Sequence, residues 1–112
     1  MTEIVYEKGS KEYELCVFGH CNAGRINGMD LCCCAVSMLV YTMLESLGKL
    51  KLKNFRHSYG GGWCHVKFSS FSEDCERAKC ILDTMINGIS LLEKRYPSSV
   101  KVIIKENEVI SI

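Results

Sequence analysis

The sequence lacks both a strong net charge and a long apolar segment. Its formal net charge is +1 at pH 7, so it does not have the strongly basic surface that nucleic-acid-binding domains present to phosphates. The most apolar run, residues 31–44, is shorter than the roughly 20 residues that a membrane span needs. The start of the chain has no basic, apolar signal peptide. We therefore expect a cytoplasmic protein that binds neither nucleic acid nor membrane.

Internal repeats, low-complexity segments and linker-like stretches are also missing. The chain has 112 residues, of which 47% are hydrophobic and 24% charged, as in ordinary globular proteins. This length is enough for one hydrophobic core, yet small enough for a partner subunit to add stability. We expect a single domain over residues 1–112.

Cysteine, in contrast, is abundant, with eight residues in the chain. Three are consecutive, Cys32 to Cys34, and neighbours on one helical turn cannot be bridged to one another without strain. Four others lie at positions with an apolar pattern, where a free cysteine behaves as a small hydrophobic residue: Cys16, Cys64, Cys75 and Cys80. We therefore expect reduced thiols.

A zinc site is the rival use of the cysteine-rich region, with His20, Cys21 and the three residues Cys32 to Cys34 as ligands. Structural zinc sites typically have two ligand pairs, each separated by two to four residues. This set does not supply two such pairs. We expect no metal and no other cofactor.

Hydrophobic periodicity predicts five strands and two helices. The strands are expected at residues 3–6, 13–20, 49–55, 63–69 and 99–105. The first helix follows an Asp30 N-cap and ends near Leu47, with a buried stripe predicted at Cys32, Val36, Leu39, Met43 and Leu47. The second helix follows a Ser72 cap and ends before Pro97.

Alternation within the strands predicts which side chains face the core. Lysine and leucine alternate over residues 49–55, as is typical of an edge strand. In the last strand Val100, Val102 and Ile104 should face inward, and in the second His20 should share a side with Cys16. Residues 21–29 and the glycine-rich residues 57–62 are expected as flexible loops.

Hairpin-length connections favour antiparallel pairing. The predicted fold class is therefore α+β: a two-layer sandwich with a mostly antiparallel sheet and two helices on one face, in the order β-β-α-β-β-α-β.

The chemistry is concentrated between a Gly19-His20 pair at a strand end and the first turn of the first helix. Backbone N–H groups and the helix dipole favour a thiolate at a helix N-terminus, so we expect a thiol pKa lowered from about 8.5 toward 7. His20 would take the proton. Cys32 belongs to the buried stripe, which leaves Cys33 and Cys34 as candidate nucleophiles.

Less specific interpretations remain for several of these residues. A structural histidine is commoner than a catalytic one, and His65, which alternates with core residues, is expected to be a hydrogen-bonded sheet residue. The glycines at 60–62 do not form a phosphate loop, because no Lys-Ser/Thr pair or helix follows them.

The ordered set Gly19, His20, Gly28, Asp30, Cys33 and Ser37 resembles the ribosomal-processing cysteine protease family, Prp. The family pattern is Gly-His, a glycine-containing loop, Gly-x-Asp-x-x-Cys and a serine four residues later. The spacing from Asp30 selects Cys33. A Gly-Gly-x-x-His sequence at the start of a strand matches Gly61, Gly62 and His65.

The resemblance implies an endopeptidase that removes the N-terminal extension of a large-subunit ribosomal protein during ribosome assembly. It also implies cleavage after an aromatic residue and a homodimer. In the sequence itself, Leu39, Val40, Met43 and the long second helix offer apolar surface for a partner subunit. By this resemblance Cys33 is the nucleophile and His20 the general base and acid.

Supporting roles follow from the same resemblance. Asp30 caps the helix and places the loop, and backbone N–H groups at the helix start are candidate oxyanion donors. Ser37 hydrogen-bonds near the thiol or, as the alternative, back to the helix backbone. Two other hypotheses stay open: a non-catalytic ribosome-associated binding module, and a redox- or metal-responsive thiol protein that uses Cys32 to Cys34.

Overall fold

The computed structural model describes residues 1–106, and residues 107–112 lie outside the described part. The elements are β1 (Thr2–Lys8), β2 (Glu12–Phe18), α1 (Leu31–Leu47), β3 (Arg56–Gly60), β4 (Trp63–Ser69), α2 (Cys75–Arg95) and β5 (Val100–Glu106). Their order is the predicted one. Neither α1 nor α2 has the length and apolar composition needed to cross a membrane.

The strands form one mixed sheet in the order β3-β4-β2-β1-β5. β1 and β5 are parallel, and the other neighbouring strands are antiparallel. Alternate side chains of the strands are buried together with the inner faces of both helices in one core. The predicted two-layer α+β arrangement is confirmed.

Helix α1 begins as predicted, because the Asp30 carboxylate accepts the backbone N–H of Cys33 at 3.0 Å. Its buried residues recur every three or four positions: Cys32, Val36, Val40, Met43 and Leu47. Leu39 is half-buried and lies against Gly88 of α2, where a β-carbon would be 3.0 Å from its methyl groups. Val40 and Met43 are buried within the chain, so the apolar surface predicted there for a partner is wrong.

The strand predicted at residues 49–55 is wrong, since the edge strand is β3, which starts at Arg56. The leucines of this segment pack against the core. Its backbone N–H groups are satisfied without a sheet, because Lys51 donates to Asp74 and Lys53 donates to Ser72, each at 2.7 Å. The alternation therefore marks an extended segment fastened to the start of α2.

Ser72 does not cap α2 as predicted. Its hydroxyl donates to the carbonyl of Ser69 at 2.6 Å and accepts the N–H of Lys53. Asp74 occupies the N-cap position, but its carboxylate accepts the N–H of Lys51 and none from the helix. These short polar side chains hold the preceding segment in place.

The flexible loop predicted at residues 57–62 is also mostly strand. Gly60 pairs with Trp63 across the β3–β4 hairpin, so the turn itself is only Gly61 and Gly62. Gly62 has a φ of +81°, which favours glycine. The hairpin is short because the strands continue to its tip.

Two predicted core positions are exposed. Cys80 lies on the outer side of α2, and Ile104 is 50% exposed on β5. β5 is an edge strand, and the helix layer buries Val100 at its start but not Ile104 near its end. All eight cysteines lie in the described part and are free thiols, as predicted.

The Tyr6 hydroxyl generates a prediction about stability. Tyr6 is fully buried, and its hydroxyl oxygen has no hydrogen-bond partner among the described residues. Burial raises the pKa of this phenol well above its usual range. Because an unsatisfied buried hydroxyl costs about 1–3 kcal/mol, we expect Tyr6→Phe to raise the melting temperature by roughly 4 °C or more.

Tyr13→Phe is the matched control for this measurement. Tyr13 stacks on Phe68, with ring centroids 5.4 Å apart, and its hydroxyl interacts with Lys79, whose pKa it raises. Removal of that hydroxyl should leave the melting temperature unchanged or lower it. A Tyr6→Phe variant less stable than the wild type would contradict our interpretation.

Candidate active site

A cavity of about 260 Å³ lies between the end of β2, the first turns of α1 and the β3–β4 hairpin. Four residues predicted from the sequence line it: Gly19, His20, Cys33 and Ser37. Asp30 and Gly28 do not line the cavity. They shape the loop that precedes α1. A larger depression of about 530 Å³, near Lys11 and Arg56, has no thiol or imidazole in its lining.

Gly19 turns the chain so that His20 reaches this cavity. Its φ is +97°, and its N–H donates to the Gly62 carbonyl at 2.8 Å. This turn breaks the alternation of β2, so His20 lines the cavity together with Val17 from the helix-facing side. The prediction that His20 shares a side with Cys16 is therefore wrong.

The His20 ring rests directly on Gly62 of the hairpin turn. A β-carbon at Gly62 would lie 2.7 Å from Nε2 and 2.9 Å from Cε1 of the ring. A β-carbon at Gly62 would therefore force the imidazole to move away from its present position. The backbone of the hairpin, held by the Gly19–Gly62 hydrogen bond, thus positions the imidazole.

Asp30 organises the other side of the cavity. One carboxylate oxygen accepts the N–H of Cys33, and the other accepts the N–H of Ala23, both at 3.0 Å. These hydrogen bonds, first that from Cys33, lower the pKa of the Asp30 carboxyl. One side chain therefore fixes both the first turn of α1 and the beginning of the preceding loop.

The helix-start N–H groups predicted as oxyanion donors are engaged in this structure. The Cys33 N–H donates to the Asp30 side chain, and the Cys34 N–H donates to the Asp30 carbonyl at 3.0 Å. A substrate oxyanion would have to compete with these two contacts.

The loop before α1 contains more structure than predicted. Ile26 and Met29 exchange two backbone hydrogen bonds of 2.8 and 3.1 Å around Asn27 and Gly28. Both central residues have positive φ, +53° and +81°, as in the tight turns that Asn-Gly favours. The Arg25 guanidinium donates to the Gly28 carbonyl at 3.0 Å. Gly28 therefore shapes the loop tip and is not part of the cavity wall.

The three consecutive thiols occupy three different environments. Cys32 is 1% exposed, and burial, followed by a hydrogen bond with Cys21, raises its pKa to about 12. Cys34 is exposed to solvent. Cys33 is half-buried and is the member of the three that lines the cavity with His20. The geometry thus distinguishes Cys33 from Cys34, which helix periodicity had left open.

The pKa of the Cys33 thiol is raised, so the predicted lowering is wrong. Partial burial is the largest cause, followed by electrostatic repulsion from Cys21 and Asp30, while a hydrogen bond from the Cys21 backbone lowers the pKa. The prediction considered only the positive end of the helix. The Asp30 carboxylate that caps the helix offsets this potential, and the net effect favours the neutral thiol over the thiolate.

A family profile described as "Cysteine protease Prp" matches residues 1–101, which include every residue of the cavity. The chain belongs to the Prp cysteine protease family. It is therefore a cysteine protease, and the family assignment disfavours the non-catalytic binding module considered from the sequence.

Solved structures show the same fold. The S. aureus ribosomal processing protease Prp with a covalently linked product peptide has a TM-score of 0.78 at 21% identity, covering 94% of this chain and 100% of that one. The same protease with a substrate peptide gives 0.70 at 18% identity, with the same coverage. SMU.848 from Streptococcus mutans gives 0.62 at 21% identity and 96% of both chains. No curated protein sequence matches the chain.

Sequence reasoning missed the aromatic part of the Prp-type cavity. Tyr41 of α1 and Tyr59 of β3 line it and meet edge to face, with ring centroids 5.8 Å apart and an interplanar angle of 84°. Each is more than half exposed. Tyr41 follows Ser37 by one helical turn, a signal present in the sequence, but Tyr59 was hidden by the wrong loop prediction.

Exchange of Gly62 for alanine tests how His20 is positioned. The new β-carbon would enter the space of the imidazole, and the positive φ adds strain of about 1–3 kcal/mol. We expect Gly62→Ala to reduce kcat/KM by at least about 100-fold, in line with displacement of a general base. Peptide cleavage and thermal unfolding measure the two effects separately.

Gly61→Ala is the matched control, since a β-carbon there meets no atom within 4 Å. We expect it to cleave peptide at close to the wild-type rate. Equal activity of the two variants would show that contact with Gly62 does not position His20.

The state of the Cys33 thiol gives a second prediction for the cavity. Its raised pKa predicts that alkylation of the free enzyme by iodoacetamide, followed at Cys33 by mass spectrometry, has a midpoint above about pH 8.5, the value of an ordinary thiol. Glutathione alkylated in parallel provides the reference. A Cys33 midpoint near pH 7 would show a resting thiolate and contradict the prediction.

Proposed function

We propose that this protein is an endopeptidase that removes the N-terminal extension of a large-subunit ribosomal protein during ribosome assembly, with Cys33 as nucleophile and His20 as base. The observation that carries the proposal is the shared cavity of Cys33 and His20, bordered by the hairpin glycines. Membership of the Prp family supports the reaction class. The S. aureus relatives, described as ribosomal processing proteases with bound peptides, support the substrate class.

The neutral resting thiol defines the first step. When a peptide enters the cavity, His20 takes the proton of the Cys33 thiol as the sulfur attacks the scissile carbonyl carbon. The imidazolium then gives that proton to the leaving amine, and the C–N bond breaks to leave a thioester. His20 next accepts a proton from water, whose hydroxide cleaves the thioester and restores the thiol.

The negative oxygen of each tetrahedral intermediate needs a donor close to the Cys33 sulfur. The Cys21 backbone lowers the pKa of the Cys33 thiol through a hydrogen-bond contribution, which indicates that its N–H lies near this sulfur. Because the helix-start N–H groups are engaged by Asp30, we assign the oxyanion contact to Cys21. One such donor contributes roughly 3 kcal/mol in characterised proteases.

The aromatic wall supports cleavage after an aromatic residue, as the family resemblance implies. Tyr41 and Tyr59 present ring surfaces on the same cavity as the thiol, and aromatic side chains favour edge-to-face and offset contacts with such surfaces. Ile26 and Met29, 63% and 54% exposed at the loop tip, supply apolar groups that would cover a bound peptide. The loop would then close on substrate.

The homodimer and the cytoplasmic location belong to the same proposal. Ribosome assembly takes place in the bacterial cytoplasm, where the substrate would be found. Met38 on α1 and Leu91 on α2 are each 66% exposed and provide apolar surface that a second copy would bury. Sedimentation of wild type and a Met38→Glu, Leu91→Glu variant would test the dimer.

The dyad is tested by cleavage of a peptide that carries the extended N-terminus of the ribosomal protein from the same organism. We expect wild type to cut at one site, Cys33→Ala to be inactive, and His20→Ala to lose at least about 100-fold in kcat/KM. Mass spectrometry of the products identifies the cleaved bond.

Cys34→Ala is the matched control because its thiol neighbours Cys33 but faces solvent. We expect its activity to stay within about twofold of wild type, as for surface substitutions in general. Failure of the folded, reduced wild-type protein to cut the peptide would refute the proposed substrate. Full activity of His20→Ala would refute the dyad alone.

A further inference from the structure

The sheet face opposite the helices carries a second cluster of reactive side chains. Cys16 of β2 and His65 of β4 are direct partners in the strand register, and Glu14 precedes Cys16 by two residues on the same face. The carboxylate oxygen, the sulfur and the imidazole nitrogen all lie within 4.8 Å of one another. In residues 1–106 this is the one such group of three potential metal ligands.

The contacts within this cluster already resemble those of a metal site without its ion. His65 Nε2 and Glu14 Oε2 are 2.8 Å apart, which confirms that His65 is a hydrogen-bonded sheet histidine. All three residues are half-buried, so their side chains have limited freedom. Each comes from the middle of a strand, where the backbone ladder fixes its direction.

The charges around this cluster are mixed. Glu7 lies opposite Glu14 in the β1–β2 register, while Lys67 is the β4 partner of Glu14 and Lys105 is the β5 partner of Glu7. Lys67 forms its ion pair with Glu12 at 3.1 Å, and the Glu14 carboxylate contacts His65. The case for a metal therefore depends on the geometry and the chemistry of the three side chains.

We propose that Glu14, Cys16 and His65 bind one Zn²⁺ ion, with the fourth coordination position open to water. A thiolate, an imidazole and a carboxylate form a ligand set that favours zinc over magnesium or calcium. Zinc–ligand distances of about 2.0–2.3 Å place tetrahedral ligand atoms about 3.3–3.8 Å apart. Small side-chain rotations bring the three atoms to these separations.

Binding releases the Cys16 thiol proton to solvent, and the sulfur forms a bond to zinc. His65 binds through the Nε2 lone pair with its proton on Nδ1, so its hydrogen bond to Glu14 is replaced by the shared ion. The ion would link β2 to β4. β2 ends just before Gly19 and β4 begins just after Gly62, so zinc would stabilise the two strands whose ends hold His20.

The experiment uses full-length, reduced, metal-free protein in the Cys33→Ala background, which separates this site from the active-site thiol. Cobalt(II) is added as a spectroscopic substitute for zinc, and zinc is then added in competition. We expect one equivalent of cobalt, an intense near-ultraviolet thiolate-to-cobalt absorption, displacement by zinc, and a zinc-dependent rise in melting temperature. Trp63, the one tryptophan of the chain, precedes His65 by two residues, so its fluorescence should be quenched.

Substitutions identify the ligands. Cys16→Ser should remove the thiolate absorption, and His65→Gln and Glu14→Gln should each weaken cobalt binding at least about tenfold. Cys80→Ser and His57→Gln, which remove an exposed thiol and an exposed imidazole, are the matched controls and should bind as the parent does. Circular dichroism confirms that each variant is folded.

Two results would overturn the proposal. One is the absence of thiolate-to-cobalt absorption in the folded parent protein. The other is its persistence in Cys16→Ser, which would place the metal at other thiols such as Cys21 and Cys32. Neither result depends on proteolytic activity, so the zinc site and the proposed function fail or succeed separately.

Discussion

The backbone hydrogen bond from Gly19 to Gly62 is the contact on which the active-site geometry depends. It extends the β2–β4 pairing one step beyond the regular strands, after Phe18 and before Trp63. At this point both strands have residues with positive φ and without side chains. The imidazole of His20 occupies the space of a β-carbon at Gly62, and the Met1 carbonyl oxygen that of a β-carbon at Gly19. The histidine is thus oriented by packing against backbone, without a third polar residue.

The Asp30 carboxylate has two effects that oppose each other. It fixes the first turn of α1 and the start of the loop, which places Cys33 on the cavity. The same negative charge makes a thiolate at Cys33 less favourable. In the proposed mechanism, Asp30 thus combines accurate placement of Cys33 with a low resting reactivity, and His20 would ionise the thiol only when a substrate carbonyl is present.

The sequence predicted those features that depend on local patterns. The α1 stripe, its Asp30 cap and the alternation of β4 follow from periodicity and capping chemistry. The wrong edge strand shows the limit of such reasoning. The Lys-Leu alternation is real, but the partners of Lys51 and Lys53 are Asp74 and Ser72, about 20 residues away along the chain. No local pattern shows that these side chains replace a neighbouring strand.

For the candidate site, the sequence predicted which residues meet but not their electrostatics or their support. The family spacing selected His20 and Cys33, and both line one cavity. The direction of the Cys33 pKa shift was missed, because it depends on the balance between burial, Asp30 and the helix dipole in three dimensions. The contact between the His20 ring and the Gly62 backbone was missed because it requires that residue 62 has no β-carbon. Hydrophobic periodicity is read from side chains and gives no information about such a position.

Two chain segments border the cavity, the loop before α1 and the β3–β4 hairpin turn. An insertion would have a different effect in each of them. The Asp30 carboxylate holds the start of the 21–29 loop at Ala23 and the first turn of α1 at Cys33. Residues inserted at the loop tip would therefore leave Cys33 in place. The hairpin turn has only Gly61 and Gly62, and the second of these supports the imidazole. An insertion there would shift that support. A change of length in the hairpin would therefore disturb the cavity more than the same change at the tip of the loop.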